Sequence, residues 1–177
     1  MRIISGKYGG RRIHPPSNMP HTRPTTDVAK EGLFNILQTR VQLEGAHTLD
    51  LFGGTGCISY ELASRGATQL TIVEKDNQML EFIKTNIEHL KIENAQLVRM
   101  DVFQYINSCM QQYDIIFAGP PYALTTIDDL PRIIVERKLI SPEGYFILEH
   151  TPRNNYENFA GFSFQRNYGA TVFSFFE

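Results

Sequence analysis

The chain has 177 residues, 42% of them hydrophobic, and a net charge of −2. That length suits one domain with a buried core. No apolar run approaches the roughly 18–20 residues of a membrane-spanning helix, and the first residues lack the long apolar region of a secretory signal. Cys57 and Cys109 lie far apart, and His14, His21, His47, His89 and His150 are scattered, so no metal-ligand spacing is present. Reduced thiols, a cytoplasmic setting, no metal and no membrane contact are the expectation.

The charge is unevenly spread. Residues 1–40 carry Arg2, Lys7, Arg11, Arg12, Arg23, Lys30 and Arg40 against Asp27 and Glu31, whereas the remainder is acidic. Such asymmetry points to a basic arm for a polyanion, with salt-sensitive binding through counterion release. A merely solvated basic surface is the plainer alternative. Arg2 to Ser5 and Arg11 to His14 read as short extended runs around Lys7-Tyr8-Gly9-Gly10, where the glycine pair offers the positive φ of a tight hairpin. His14 through Pro24 is irregular because prolines block regular pairing. Residues 1–24 are therefore a basic hairpin and strap, and 25–177 an α/β core. Thr25-Thr26-Asp27 offers a helix cap, and Val28, Leu33, Phe34, Ile36 and Leu37 follow at helical spacing.

Asp50-Leu51-Phe52-Gly53-Gly54-Thr55-Gly56 is the most informative stretch. An apolar strand runs into glycines, and the glycines open a helix-like run from Cys57 to Arg65. This arrangement brings backbone N–H groups close to a ligand, and a Cβ at the glycines would block the approach or forbid the turn. A second apolar run, Leu70 to Val73, ends in Glu74, followed by Lys75. A carboxylate there, about 20 residues on, can hold the two hydroxyls of a ribose. The third glycine of a dinucleotide loop is missing. An acid entering the loop, Asp50, would repel a pyrophosphate but suits a cation; S-adenosylmethionine carries a sulfonium and an ammonium and no phosphate. The alternative is that Asp50 caps the loop. Gln96 to Met100 is a third strand, ending at Asp101-Val102-Phe103. Asp101 can accept from an adenine amino group between apolar neighbours, or cap the next helix, or do both.

Ile115 to Ala118 is a buried strand that two prolines stop and stiffen in Gly119-Pro120-Pro121-Tyr122. This resembles the (Asp/Asn)-Pro-Pro-(Tyr/Phe) motif of amino-group methyltransferases. That motif implies an aromatic stacked on a flipped base. It also implies an acid or amide which, with the carbonyl of the first proline, accepts hydrogen bonds from an exocyclic amine and aims its lone pair at the methyl group. Gly119 stands where the acid is expected. Asp114 lies at the other end of the same strand, about 15 Å away. Losing one transition-state acceptor costs about 10²–10³ in rate. The chain is then a weakened variant, or works with backbone carbonyls alone, or has become a binder. If it is a weakened variant, Gly119→Asp raises turnover at least about tenfold.

The chain as a whole resembles the bacterial 16S ribosomal RNA guanine-N2 methyltransferases of the RsmD family. The likeness rests on Met1 to Ile13, Arg23 to Leu37, Asp50 to Gly56, Ser64 to Ala67, Val73 to Asp76 and Tyr168-Gly169. It implies methylation of one guanine amine in small-subunit RNA, with S-adenosylmethionine as donor and 16S rRNA or the assembling small subunit as partner. It also implies a strap over the cofactor mouth with Arg23 and Thr25 near substrate, and Asp at position 119; a monomer is the expectation. For Thr25 and Thr26, helix capping is the competing assignment. Rival functions are a DNA amino-methyltransferase, a protein glutamine methyltransferase and a non-catalytic RNA-binding relic.

Strands near 47–52, 70–74, 96–100, 114–118 and 144–149 alternate with helices near 57–65, 77–91, 102–111 and 126–138. The alternation predicts a parallel sheet covered on both faces. Phe162 to Tyr168 and Thr171 to Phe176 form an antiparallel pair turned at Gly169. The expected fold is Rossmann-like: a seven-stranded S-adenosylmethionine-dependent methyltransferase sheet with an N-terminal β-hairpin arm. Its ligands gather at the carboxyl ends of the parallel strands, at Asp50 to Gly56, Glu74, Asp101, Gly119 to Tyr122 and Glu149-His150. The C-terminal aromatics read as core and edge packing, and His150 as a core or capping residue.

Overall fold

The computed structural model describes residues 1–19 and 25–177. Seven strands form one sheet in the order β3-β2-β1-β4-β5-β7-β6. They are β1 (His47–Leu51), β2 (Gln69–Glu74), β3 (Ala95–Arg99), β4 (Tyr113–Ala118), β5 (Ile140–His150), β6 (Phe162–Tyr168) and β7 (Thr171–Phe176). β1 to β5 pair in parallel, and β7 runs antiparallel to both β5 and β6. This is the Rossmann-like methyltransferase sheet with its final reversed hairpin.

Side chains alternate across a sheet, and two packed layers result. Leu33, Phe34, Ile58, Leu62, Ile115, Phe117, Ile147 and Phe173 share one cluster, under α1 (Asp27–Arg40) and α2 (Cys57–Ser64). Leu49, Leu51, Ile116, Ala118, Phe146 and Leu148 face the other way, under α4 (Val102–Ser108) and α5 (Asp129–Glu136). α3 (Asn77–Leu90) packs Ile83 and Leu90 near Ile72 and the N-terminal arm.

The helices start where side chains can satisfy free N–H groups. Thr26 accepts from Ala29 N at 3.2 Å, Asp76 from Met79 N at 2.9 Å, and Asp101 from Phe103 N at 2.9 Å. Val28, counted on the apolar face of α1, is 71% exposed and points outward. α4 stops at Ser108 rather than 111, and α5 covers only 129–136. β5 begins four residues before the expected 144. Its first pair, Tyr113↔Ile140, is separated from Ile115↔Tyr145 by a register shift that absorbs Pro142 and Glu143.

The arm is tighter and less strand-like than a free hairpin. A single antiparallel bridge joins Arg2 to Arg12; of the Gly9-Gly10 pair only Gly10 has positive φ (82°), and the other positive value falls at Gly6 (81°). Ile3, Tyr8 and Ile13 pack against Tyr60, Ile72 and Ile83. Buried Glu61 of α2 accepts from Ile4 N at 2.8 Å and Ser5 N at 3.1 Å, and pairs with Arg65 at 2.8 Å and Lys30 at 3.8 Å. Lys30 also donates to the Arg2 carbonyl. Lys30, counted among the arm's surface charges, is thus an interior ion whose side chain is 1% exposed. Removing one partner of such a pair costs about 3–5 kcal/mol, because the other charge is left buried alone.

Candidate active site

The carboxyl ends of β1, β2, β4 and β5 converge on one edge of the sheet. At β1 the chain leaves the strand through Phe52, whose φ of 64° is unusual for a residue with a side chain. That turn lets Gly53 N donate to the Val73 carbonyl at 3.0 Å. A Cβ on Gly53 would lie 2.6 Å from Ile72 Cγ2, and one on Gly56 (φ 79°) 2.5 Å from the Tyr60 ring. Glycine is therefore imposed at both positions by close approach, not only by the turn. Thr55 is buried. A Cβ on Gly54, by contrast, would meet nothing nearer than the Phe52 carbonyl at 3.6 Å.

Glu74 ends β2 and braces this loop. Its Oε2 accepts from Gly54 N at 3.0 Å, and Oε1 accepts from the backbone of Lys75 at 2.8 Å and Asp76 at 2.9 Å. The Lys75 side chain points to solvent. Asp101 uses Oδ1 to cap α4 through Phe103 N and Gln104 N, with Val102 buried and Phe103 half-buried beside it. The capping role is therefore real, and it leaves the adenine role compatible. Asp50 is 3% exposed beneath the loop and accepts from Ser59 Oγ at 2.7 Å. Burial pushes its carboxyl up to about 7, with the Ser59 hydrogen bond opposing and the nearby Glu74 charge adding to the rise. A cation bound above the loop would favour the ionised form.

Around the glycine turn, one carboxylate, Glu74, stands at the tip of β2 and another, Asp101, at the β3–α4 corner. At the amino edge, a cleft of about 370 Å³ lined by His47, Gln69, Thr71 and Gln96 has neither glycines nor acids.

The Gly119-Pro120-Pro121-Tyr122 segment and Glu149 lie across β1, at the ends of β4 and β5. Pro120 is buried, Pro121 is exposed and its carbonyl accepts from Leu124 N at 2.9 Å, and Tyr122 is 44% exposed. Gly119 has no positive φ, so a side chain there would meet no backbone strain. Asp114 is spent at the far end of β4, accepting from His47 N at 2.9 Å and Ser141 Oγ at 2.7 Å. Thr25 and Thr26 divide their work. Thr26 caps α1, while buried Thr25 donates to Glu149 Oε2 at 2.7 Å. His150 is a core residue, with Nδ1 2.8 Å from the Thr151 carbonyl and Nε2 2.7 Å from Ser174 Oγ. Burial lowers its pKa.

The arm's cations do not all reach the mouth. Met1 Sδ accepts from Thr55 Oγ1 at 3.4 Å, so the arm starts at the glycine loop. Arg2 and Arg12 are exposed and bridged to each other, and Arg2 lies 3.7 Å from Asp27. Lys7 N and Tyr8 N are held by Ser64 at the end of α2, about 12 Å along that helix. Lys7 and Arg11 flank the Tyr8 ring there, at 5.4 and 5.5 Å. Arg23 lies outside the described residues. Sequence reasoning missed Glu61, which fixes the arm. A lone acid inside an otherwise apolar helix was the available signal.

Among the described residues no three His, Cys, Asp or Glu side chains gather to hold a metal ion, and no helix is long and apolar enough to cross a membrane.

The family described as conserved hypothetical protein 95 matches residues 1–177. The ribosomal RNA small subunit methyltransferase D of Buchnera aphidicola is 30% identical over 164 residues, covering 88% of this chain and 83% of that protein. The structure of a hypothetical protein from Thermus thermophilus superposes with a TM-score of 0.86 at 26% identity, over 100% of this chain and 99% of the other. The fold also matches a T. thermophilus 16S rRNA N2 methyltransferase solved with AdoMet and guanosine. There the TM-score is 0.68 at 24% identity, over 88% of this chain and 44% of that one.

Proposed function

The chain belongs to the conserved hypothetical protein 95 family, that of the ribosomal RNA small subunit methyltransferases D, and on that premise we propose that it methylates the N2 amine of one guanine in 16S ribosomal RNA. S-adenosylmethionine, when bound, supplies an electrophilic methyl group on a positively charged sulfur. One observation carries the proposal: a glycine loop braced by Glu74 stands on the same sheet edge as Pro120-Pro121-Tyr122.

The residues divide the work. Gly53, Gly54 and Gly56 let backbone N–H groups approach the donor. Glu74 holds the ribose hydroxyls, and Asp101 accepts from the adenine amino group while Val102 and Phe103 flank the ring. Asp50 contributes negative charge from beneath. Tyr122 stacks on the guanine, and the Pro120 carbonyl accepts one hydrogen of its amine. The transfer then needs positioning more than a strong base. Arg2, Lys7, Arg11 and Arg12, together with Arg23 of the strap, neutralise phosphates along the arm. The protein acts as a cytoplasmic monomer on the assembling small subunit.

The test is transfer of a labelled methyl group to naked 16S rRNA, partly assembled subunits and whole small subunits, with nucleoside analysis of the product. N2-methylguanosine at one position supports the reading. Gly119 favours a second reading, an RNA-binding relic, which predicts salt-dependent RNA binding and no transfer to any of the three.

A further inference from the structure

The motif position that lacks its acid has a carboxylate beside it on the neighbouring strand. β4 and β5 are paired in register as far as Ala118↔Leu148. Gly119 and Glu149 stand one residue beyond that pair, on strands about 4.8 Å apart. Period-two alternation puts residues 117 and 119 on one face, and 147 and 149 on the same face. Phe117 and Ile147 do share a cluster. A Cβ on Gly119 would lie 3.6 Å from Glu149 Oε2 and 3.1 Å from the Phe117 ring. The longer side chain of Glu149 therefore occupies the neighbourhood a motif acid would fill, and the missing side chain at 119 is what leaves it room.

Glu149 is also held in place. Its backbone is paired with Phe173 of β7, the residue is 8% exposed, and Thr25 Oγ1 donates to Oε2 at 2.7 Å.

We propose that Glu149 is the catalytic carboxylate of this chain, acting from β5 in place of an acid at position 119. This rests on the methyl-transfer reading above and deepens it. Glu149 accepts one hydrogen of the guanine amine while the Pro120 carbonyl accepts the other, which aims the nitrogen lone pair at the donor. The nitrogen forms a bond to the methyl carbon as the carbon–sulfur bond breaks, its electron pair staying on a now neutral sulfur. The methylated nitrogen, briefly cationic, gives one proton to the Glu149 carboxylate, which passes it to water.

The experiment measures single-turnover transfer to the best small-subunit substrate, with donor affinity followed by calorimetry. Glu149→Ala loses about 10²–10³-fold in rate at unchanged donor affinity. Thr25→Val keeps the Glu149 carboxylate but removes the charge-assisted hydrogen bond that positions it, and loses about tenfold, less than Glu149→Ala does. Gly119→Asp in the Glu149→Ala background recovers at least roughly tenfold, because a carboxylate returns from the other strand. In the otherwise unchanged chain Gly119→Asp gains less than about threefold, since the place is already served and a second charge would crowd the first. Transfer by Glu149→Ala at the wild-type rate overturns the proposal, as does an equal loss in Thr25→Val, which would make Glu149 only a peg for the strap. A wild-type chain that binds donor yet transfers to no substrate removes the methyl-transfer reading, and this proposal with it.

Discussion

The two halves of the proposed site are built by opposite means. The donor half is backbone. Gly53 and Gly56 sit where a Cβ would meet Ile72 and Tyr60, and both Glu74 oxygens already hold loop N–H groups. The acceptor half is side chains on strand ends: Tyr122 is half in solvent, Gly119 lies against the Phe117 ring and Glu149, and Glu149 is anchored by a residue from the start of α1. A backbone cradle has few workable alternatives because its shape is set by the sheet. A side-chain acceptor can be moved from one strand to the next as long as a carboxylate reaches the same point. Departure from a motif therefore means more in the first half than in the second.

Substitutions sharpen this contrast. The largest effect is expected in the cradle. Gly53→Ala forces Ile72 to move, destabilises the protein by about 1–3 kcal/mol, and abolishes measurable donor binding; calorimetry that finds native affinity would break the contrast. Glu74→Ala comes next, weakening the donor by roughly 10- to 100-fold, the loss of one or two charge-assisted hydrogen bonds. RNA affinity in a filter-binding assay stays constant.

Tyr122→Ala tests the other half. Loss of base stacking lowers transfer to RNA by about 5- to 150-fold, equivalent to 1–3 kcal/mol, while donor affinity is unchanged. Equal transfer by the variant would remove Tyr122 from the base platform.

The smallest effect concerns stability, and its sign follows from Asp50. Its carboxyl is raised from 3.8 to about 7 in the folded protein. The folded state thus keeps a proton that the unfolded chain has lost between those values. This group's contribution is complete below about pH 4 and is lost as pH rises through 7. Asp50→Asn therefore stabilises the free protein at pH 8 by roughly 1–3 kcal/mol and leaves it nearly unchanged at pH 4, as urea unfolding at the two values can check. The same variant binds the donor more weakly, and the affinity of the unaltered protein increases from pH 6 to 8.

The donor half was legible in the sequence because its signals are local. An apolar run, a glycine cluster and an acid at the next strand tip occupy fixed short intervals, and Glu74 and Asp101 could be placed at the strand ends that way. The acceptor half was legible only in part. Gly119 to Tyr122 is contiguous, but Glu149 lies 30 positions further on, and only the register of β4 against β5 brings the two together. Glu149 could be assigned to the edge from its strand, though not to its neighbour. Lys30 misled for a related reason: charge counted along a chain ignores a buried partner such as Glu61, which belongs to another helix. The start of β5 was missed because Ser141-Pro142-Glu143-Gly144 carries turn residues that the sheet accommodates as an irregularity rather than a break.

The most direct measurement is a crystal structure of the chain with S-adenosylmethionine and guanosine. The donor is expected over Gly53–Gly56, its ribose on Glu74 and its adenine at Asp101, with the guanine ring on Tyr122 and its amine between the Pro120 carbonyl and Glu149. An empty carboxyl edge, or a phosphorylated nucleotide lying there in the donor's place, would contradict the account.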